Sequence, residues 1–164
     1  MGSGAISLSI VQENKNANVY ASDVSADAIQ VAKLNMSAIG ASSSRLEILE
    51  GNLFEAFSDN LKSRIDLVIS NPPYIGLDEK NDVEESVLNY EPHLALFSGE
   101  QGDEIIDKII KQSRDWLNDN GTLLMEISPR HEKHIREFVQ QNGFSEVNFY
   151  NDLTNRLRFV SLSF

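Results

Sequence analysis

Four consecutive residues, Asn71-Pro72-Pro73-Tyr74, follow the apolar run Ile65–Ser70 and carry the clearest chemical signal in the chain. The run is rich in Val and Ile and predicts a buried parallel strand, which the two prolines end at a rigid turn. Proline fixes its own φ angle and keeps the preceding residue out of the helical region. The Asn71 side chain and the Pro72 carbonyl should therefore project from this turn at little entropic cost, and both are hydrogen-bond acceptors.

This pair of acceptors suits a planar NH2 group such as that of an amide. Such a nitrogen has two N–H donors in one plane, and its delocalised lone pair makes it a poor nucleophile. Asn71 and Pro72 would hold the two hydrogens and aim the nitrogen at an electrophilic methyl group, with Tyr74 covering the flat face. The pattern indicates methyl transfer to a planar amino nitrogen. An ordinary turn at the end of a strand is the alternative interpretation.

A second group of residues has the layout of a nucleotide pocket. Gly2-Ser3-Gly4 precedes a helix predicted over Ala5–Glu13, and Asp23 ends the strand predicted from Val19. Backbone N–H groups at a helix N-terminus and an acid for ribose hydroxyls are the groups that such a pocket needs. A dinucleotide fingerprint would need a third glycine where the chain has Ser7, so it is not met. Alternatively, Gly2-Ser3-Gly4 could be a cloning scar after Met1, and Asp23 could be a cap that precedes a helix.

The apolar periodicity predicts an α/β fold, with a mostly parallel sheet, helices on both faces and a C-terminal antiparallel hairpin. Further helices are predicted over residues 26–39, 105–117 and 130–141, and further strands over residues 46–49, 122–127, 144–150 and 158–164. Ser25 is the expected N-cap of the second helix, and Asn120-Gly121 should close the helix that precedes the strand at 122. Residues 87–102 have no clear periodicity and are expected to form a substrate wall.

Composition narrows the class of protein. The 164 residues fit one domain, and a net charge of −11 disfavours a nucleic-acid backbone as the main partner. There is no cysteine, no apolar run long enough for a membrane span and no signal peptide. We therefore expect a protein of the cytoplasm or the mitochondrial matrix, neither secreted nor membrane-bound. We also expect a monomer. No metal is expected, because His131 and His134 do not fit a metalloprotease motif and should be exposed. The charged residues at 103–111 should form a solvated helix face.

Several segments, in their order and spacing, resemble the HemK/PrmC class I methyltransferases over essentially the whole chain. These segments are Gly2-Ser3-Gly4-Ala5-Ile6, Asp23, Gly51-Asn52-Leu53-Phe54, Asn71-Pro72-Pro73-Tyr74 and Tyr90-Glu91-Pro92-x-x-Ala95-Leu96. Enzymes of that family methylate the glutamine side-chain amide of the Gly-Gly-Gln motif in peptide-chain release factors. The Asn-Pro-Pro-Tyr turn is shared with enzymes that methylate nucleobase amino groups, but the segment from Tyr90 and the later Gly99-x-x-Gly102 are more particular to this family.

The resemblance implies S-adenosylmethionine as methyl donor and a release factor as protein partner. The implied cofactor-binding residues are Gly2, Ser3 and Gly4 for the methionine part, Asp23 for the ribose, Asn52 and Leu53 for the adenine, and Asn71 close to the donor methyl. The implied catalytic residues are Asn71, Pro72 and Tyr74, and Pro73 and Glu91 join them in binding the substrate. Glu91 capping a turn is the alternative for that residue. Family members usually carry an acid where this chain has Asn52, which puts the affinity for adenine in question.

The family also has an amino-terminal helical domain and a first central strand, and neither precedes Gly2 in this sequence. Losing three core aliphatic side chains would remove ~5–9 kcal/mol, against a typical net stability of ~5–15 kcal/mol. We therefore expect residues 1–164 alone to bind the cofactor weakly and to have little or no activity. Two alternative functions stay open: an amino-methyltransferase for RNA or DNA bases, and a truncated product without catalysis.

Overall fold

The structure, a computed structural model, describes residues 1–40, 44–82 and 93–164. The helices are α1 (Ala5–Glu13), α2 (Ala26–Ala38), α3 (His93–Leu96), α4 (Glu104–Trp116) and α5 (Glu132–Gln141). The strands are β1 (Val19–Asp23), β2 (Leu46–Glu50), β3 (Ile65–Ser70), β4 (Leu117–Glu126), β5 (Glu146–Asn151) and β6 (Leu157–Ser163). These elements fall into two compact units, Met1–Asn60 and Leu61–Phe164. No helix in the described part of the chain is long and apolar enough to cross a membrane.

The first unit packs α1 and α2 on a parallel pair of strands, β1 and β2. Its core consists of Leu8, Val11, Ala21, Ile29, Ala32, Leu46 and Ile48. As predicted, Ser25 caps α2, its hydroxyl accepting the Ala28 N–H at 3.2 Å. Spacing alone places Ile6, Leu8 and Ile10 on or near one face of α1, but the Ile6 side chain is 47% exposed. The buried face of α1 runs instead through Ser7, Leu8 and Val11, which follow the helical spacing of three to four residues.

The second unit contains a four-stranded sheet in the order β3-β4-β6-β5. Strand β4 pairs in parallel with β3 and antiparallel with β6, and β5 and β6 form the predicted C-terminal hairpin. The α/β prediction is therefore confirmed. Helix α4 buries one apolar face against this sheet, and the buried side chains include Trp116.

One boundary in this sheet differs from the prediction. Strand β4 begins at Leu117, directly after α4, so Asn120-Gly121 lie within the strand instead of closing a helix. The ladder shifts register here, the partner of β3 passing from Leu117 to Thr122. Gly121 permits this bulge, because a Cβ at that position would lie 2.8 Å from the Ile65 carbonyl oxygen.

The two sheets are not joined by any strand that the structure describes. In those residues β1 pairs only with β2, and β3 pairs only with β4. Each of these strands therefore has one edge without a described partner, and Leu67 of β3 is 48% exposed.

Candidate cofactor and acceptor sites

The carboxyl ends of β1 and β2 bring together the predicted cofactor residues of the first unit. Because the two strands are parallel and in register, Asp23 lies opposite Glu50 at the same end of the sheet. The Gly51 N–H continues this pairing by donating to the Asp23 carbonyl at 2.9 Å. Asn52 and Leu53, which follow directly, are thereby placed beside Asp23.

The Asp23 carboxylate is held by the start of the chain and by the turn after β1. Its Oδ2 accepts from the Met1 ammonium and from the Gly2 N–H, both at 2.8 Å, and its Oδ1 accepts from the Ser25 N–H at 3.0 Å. Burial raises the pKa of Asp23, but these hydrogen bonds and the ammonium charge outweigh it and leave the pKa below its usual 3.8. Asp23 is therefore an ionised, oriented acceptor directly beside the turn that opens α1. The cap of α2 is Ser25, which leaves Asp23 for another role.

The glycines before α1 differ in their surroundings. Gly2 and Gly4 have φ angles of +60° and +81°, which favour glycine. At Gly4 a Cβ would lie 3.1 Å from the Ala32 Cβ, so this glycine also permits close packing of α1 on α2. At Gly2 an added Cβ would meet nothing within 4 Å. The Ser3 carbonyl accepts from the Asn35 side chain at 3.0 Å, so the turn is fixed on α2 and open at Gly2.

Asn52 and Leu53 form the other side of this edge. Asn52 is exposed, and it begins a 3₁₀ turn over Leu53–Ala56. Leu53 has a φ angle of +52°, a strained value for a residue with a side chain, and its carbonyl accepts from the Ser22 hydroxyl at 2.8 Å. A carboxylate acceptor and an exposed amide are among the groups that a nucleoside requires, so these residues fit S-adenosylmethionine.

The first unit also contains an open groove of about 430 Å³. It lies at the other, amino ends of β1 and β2, where Val19, Leu46 and the side chains of Lys33 and Met36 line it. None of the predicted site residues that the structure describes is among its lining residues. Its size alone therefore does not indicate the cofactor site.

The predicted acceptor residues lie in the second unit, at the carboxyl end of β3. Asn71 is exposed, Pro72 is buried, and Pro73 and Tyr74 are half-buried. Strand β4 is parallel to β3, so its last residue, Glu126, reaches the same end of the sheet. The turn therefore presents Asn71 outward on a buried proline, as the sequence predicts.

The Tyr74 hydroxyl is tied to two charged side chains. It donates to Glu126 Oε1 at 3.1 Å and accepts from Arg158 Nη1 at 3.4 Å. Burial and the Glu126 charge raise the pKa of Tyr74 above its usual 10.0, so the phenol remains a hydrogen-bond donor at neutral pH. Neither Glu126 nor Arg158 was a candidate from the sequence, and no motif marks them.

A loop from residue 98 to residue 103 supports the backbone after Tyr74. The Ser98 N–H donates to the Ile75 carbonyl at 2.9 Å, and the Leu77 N–H donates to the Gly99 carbonyl at 3.1 Å. The loop is held by Glu104, whose carboxylate accepts the N–H groups of Glu100, Gln101 and Gly102 at 2.7, 3.3 and 3.1 Å. These bonds leave the pKa of Glu104 below its usual 4.5, although burial opposes them.

The prediction of a solvated helix face at residues 103–111 is therefore wrong for Glu104. The prediction also did not include two contacts of this helix face with α5. Asp107 Oδ1 lies 2.8 Å from His134 Nε2, and the Lys111 ammonium lies over the Phe138 ring. Glu104 is the first residue of α4, and its carboxylate holds the loop before the helix. The sequence signals this only by Gly99 and Gly102, which stand just before the acid.

The prediction of two exposed histidines is wrong for His131. Its side chain is 2% exposed, and neither ring nitrogen has a hydrogen-bond partner in the described part of the chain. Burial and the nearby Arg130 charge lower the pKa of His131 below its usual 6.5, against weaker opposing effects of the Gln101 backbone and nearby carboxylates. Within residues 1–40, 44–82 and 93–164, no His, Cys, Asp and Glu side chains cluster in a way that would hold a metal ion.

Glu91, with the rest of the segment Tyr90-Glu91-Pro92, lies outside the described residues. Its predicted role in substrate binding stays a prediction.

Three kinds of comparison agree on the class of protein. The family model of the methyltransferase small domain matches residues 1–93. The bifunctional methyltransferase of Rickettsia typhi is 36% identical over 162 residues, which cover 99% of this chain and 30% of that protein. The release factor glutamine methyltransferase of Lactococcus lactis subsp. lactis is 33% identical over 162 residues, which cover 98% of this chain and 57% of that protein.

A likeness in structure extends to more distant proteins. The crystal structure of the ribosomal protein L11 methylase from Lactobacillus delbrueckii subsp. bulgaricus matches with a TM-score of 0.67 at 17% sequence identity, covering 98% of this chain and 64% of that one. At this identity the likeness shows the class I methyltransferase fold alone. The chain spans between 30% and 57% of the two sequence relatives, so activities of those whole proteins extend beyond what it matches.

Proposed function

Since the chain belongs to the methyltransferase small domain family, we propose that it carries the catalytic residues of an S-adenosylmethionine-dependent enzyme that methylates a protein glutamine amide. The acceptor is the glutamine of the Gly-Gly-Gln motif in peptide-chain release factors. The observation that carries this proposal is the exposed Asn71 on the buried Pro72 at the carboxyl end of β3, next to a Tyr74 whose hydroxyl contacts Glu126 and Arg158. The relatives named release factor glutamine methyltransferase support the choice of substrate.

The first unit binds the cofactor in this proposal. The Asp23 carboxylate accepts the ribose hydroxyls in place of its present Met1 and Gly2 donors. The open side of Gly2 admits the methionine part to the backbone N–H groups, and Asn52 and Leu53 bind the adenine. When bound, S-adenosylmethionine supplies an electrophilic methyl group.

The second unit binds the acceptor amide. The Asn71 side-chain oxygen and the Pro72 carbonyl accept its two hydrogens, which fixes the plane of the amide and the direction of its nitrogen. Pro72 and Pro73 keep this geometry with little entropic cost on binding. Tyr74 packs on the flat face of the amide and limits its rotation.

The experiment that tests the proposal asks where the methyl group goes. Release factor and an RNA or DNA acceptor are incubated separately with the chain and S-adenosylmethionine, and the methylated group is located by mass spectrometry. In the described residues β1 pairs only with β2 and β3 only with β4, so the assay uses residues 1–164 and also an extended chain, which has an apolar strand of about five residues added before Met1. We expect methylation of the release-factor glutamine by the extended chain. Methylation of nucleobase amino groups alone would overturn the proposed substrate, and the absence of transfer to any acceptor would favour a non-catalytic product.

A further inference from the structure

Three side chains from separate parts of the sequence meet behind the acceptor turn. Glu126 is the last residue of β4, Arg158 is the second residue of β6, and Tyr74 ends the turn after β3. The Tyr74 hydroxyl lies 3.1 Å from Glu126 Oε1 and 3.4 Å from Arg158 Nη1. Arg158 Nη1 in turn lies 3.9 Å from Glu126 Oε1, so the phenol sits between an acid and its counter-charge.

The backbone fixes the two charged residues relative to each other. Glu126 lies opposite Phe159 in the antiparallel ladder, and the Ile127 N–H donates to the Arg158 carbonyl at 2.9 Å. The Glu126 and Arg158 side chains are only 26% and 31% exposed, so neither moves freely in solvent. The phenol partners of Tyr74 are therefore held by the sheet and not by a loop.

A second acid extends this arrangement away from the turn. Arg158 Nε lies 3.7 Å from Asp152 Oδ2, at the start of the tight turn between β5 and β6. Hydrogen bonds from Thr154 and Arg156 lower the pKa of Asp152 to about 2, so it is ionised at neutral pH. Arg158 is thereby held between two carboxylates, one of which is Glu126.

We propose that Glu126 is a positioning residue for methyl transfer: its carboxylate holds the Tyr74 hydroxyl and so sets the plane of the ring that packs on the acceptor amide, while Arg158 keeps Glu126 in place. The inference rests on the proposed function, in which Tyr74 touches the acceptor. Pro73 fixes the backbone end of Tyr74, and Glu126 fixes its hydroxyl end. A ring held at both ends presents one face, whereas a ring held only at its backbone samples several rotamers.

The test compares variants of the extended chain in single-turnover transfer to release factor. Glu126→Ala should lower the transfer rate about tenfold, because an unanchored ring spends less time in the productive rotamer. Affinity for S-adenosylmethionine should change less than about twofold, since Glu126 lies in the second unit. Glu126→Gln keeps an oxygen that accepts the phenol O–H and should recover most of the rate. Glu137→Ala, at an exposed position of α5, is the matched control and should leave the rate unchanged.

The double variant Tyr74→Phe/Glu126→Ala separates positioning from general destabilisation. If Glu126 acts through the phenol, the double variant should be no slower than Tyr74→Phe alone, because the hydroxyl that Glu126 holds is already gone. Independent, multiplying losses would overturn the proposal, and so would a Glu126→Ala rate equal to that of Glu137→Ala.

A readout without catalysis makes the inference testable even if no methyl transfer is found. The Tyr74 phenol is titrated by NMR with ring-labelled tyrosine, assigned with Tyr74→Phe. Since the Glu126 charge helps to raise the pKa of Tyr74, Glu126→Ala should lower that pKa, and Glu137→Ala should not. An unchanged titration in Glu126→Ala would show that Glu126 does not hold the hydroxyl. Transfer that is normal in Glu126→Ala would refute this inference alone, whereas transfer absent from every chain would refute the proposed function.

Discussion

Replacing Gly102 with alanine should damage the acceptor site through its supporting loop. Gly102 has a φ angle of +86°, and a Cβ there would lie 2.5 Å from the Tyr74 carbonyl oxygen and 2.8 Å from the Gly76 nitrogen. Both obstructing atoms belong to the backbone, which cannot move without displacing the residues that follow Asn71-Pro72-Pro73-Tyr74. The substitution therefore shifts either the loop or the turn.

The cost divides into two parts. The left-handed conformation costs an alanine ~1–2 kcal/mol, and the overlap with backbone adds ~1–3 kcal/mol. Gly143→Ala is the matched control in the same unit, with a φ angle of +80°. There the obstructing atoms are the end of the Arg114 side chain, 2.5 Å away at Nη1, which can swing aside. We expect Gly102→Ala to lower the free energy of unfolding by ~1–3 kcal/mol more than Gly143→Ala, the difference being the backbone overlap.

Denaturant unfolding followed by single-turnover transfer with the extended chain measures both effects. Gly102→Ala should slow transfer to release factor more than about tenfold with S-adenosylmethionine affinity kept, because only the acceptor half is displaced. Gly143→Ala should lose stability and keep its transfer rate at concentrations where both variants are folded. If the two variants lose equal stability and transfer equally fast, the loop does not support the acceptor turn.

Three further outcomes are expected. Asp23→Ala should weaken S-adenosylmethionine binding by ~1–3 kcal/mol, and an unchanged affinity by calorimetry would remove Asp23 from the site. Because the folded-state pKa of His131 lies below its usual 6.5, the unfolded chain takes up this proton first, and stability should fall as the pH drops below about 6.5, by at most ~1.4 kcal/mol per pH unit. His131→Leu should flatten this dependence in denaturant titrations, and an unaltered slope would contradict the assignment. The added strand of the extended chain should raise the melting temperature and the cofactor affinity; equal values for both chains would show that β1 and β3 need no further partner.

The sequence predicts the elements of this fold because their signals are local. Apolar periodicity, the Ser25 cap and the two prolines after β3 each act within a few residues, and apart from the start of β4 each predicted helix and strand is found near its expected bounds. The two differences from the expected fold arise because local signals do not report contacts between distant residues. Spacing alone does not decide which face of α1 is buried: Ile6 is 47% exposed, whereas Ser7, Leu8 and Val11 are buried. The start of β4 depends on a bulge whose partner is 56 positions earlier, at Ile65.

In the candidate site too, residues marked by a local pattern could be predicted and residues brought in by distant pairing could not. Asn71, Pro72 and Asp23 could be named because their residue types follow predicted strands. Glu126 and Arg158 could not, since they reach Tyr74 only through a ladder between β4 and β6 that no local pattern specifies. An acid such as Glu104 is common at the exposed start of a helix, so its residue type alone does not mark it. Its three N–H partners come within reach only when the loop before it folds.

The measurement that tests the central claim most directly is the effect of Asn71→Ala on the extended chain, with Asn148→Ala, an exposed asparagine on β5, as its control. Methylation of the release-factor glutamine is followed by mass spectrometry, and S-adenosylmethionine binding is followed by calorimetry. Asn71→Ala should abolish transfer while cofactor affinity stays within about tenfold, or ~1.4 kcal/mol, because Asn71 acts mainly on the acceptor amide. Asn148→Ala should change neither quantity. Transfer by Asn71→Ala at the rate of the Asn148→Ala control would show that the amide is not held by Asn71 and would contradict the account.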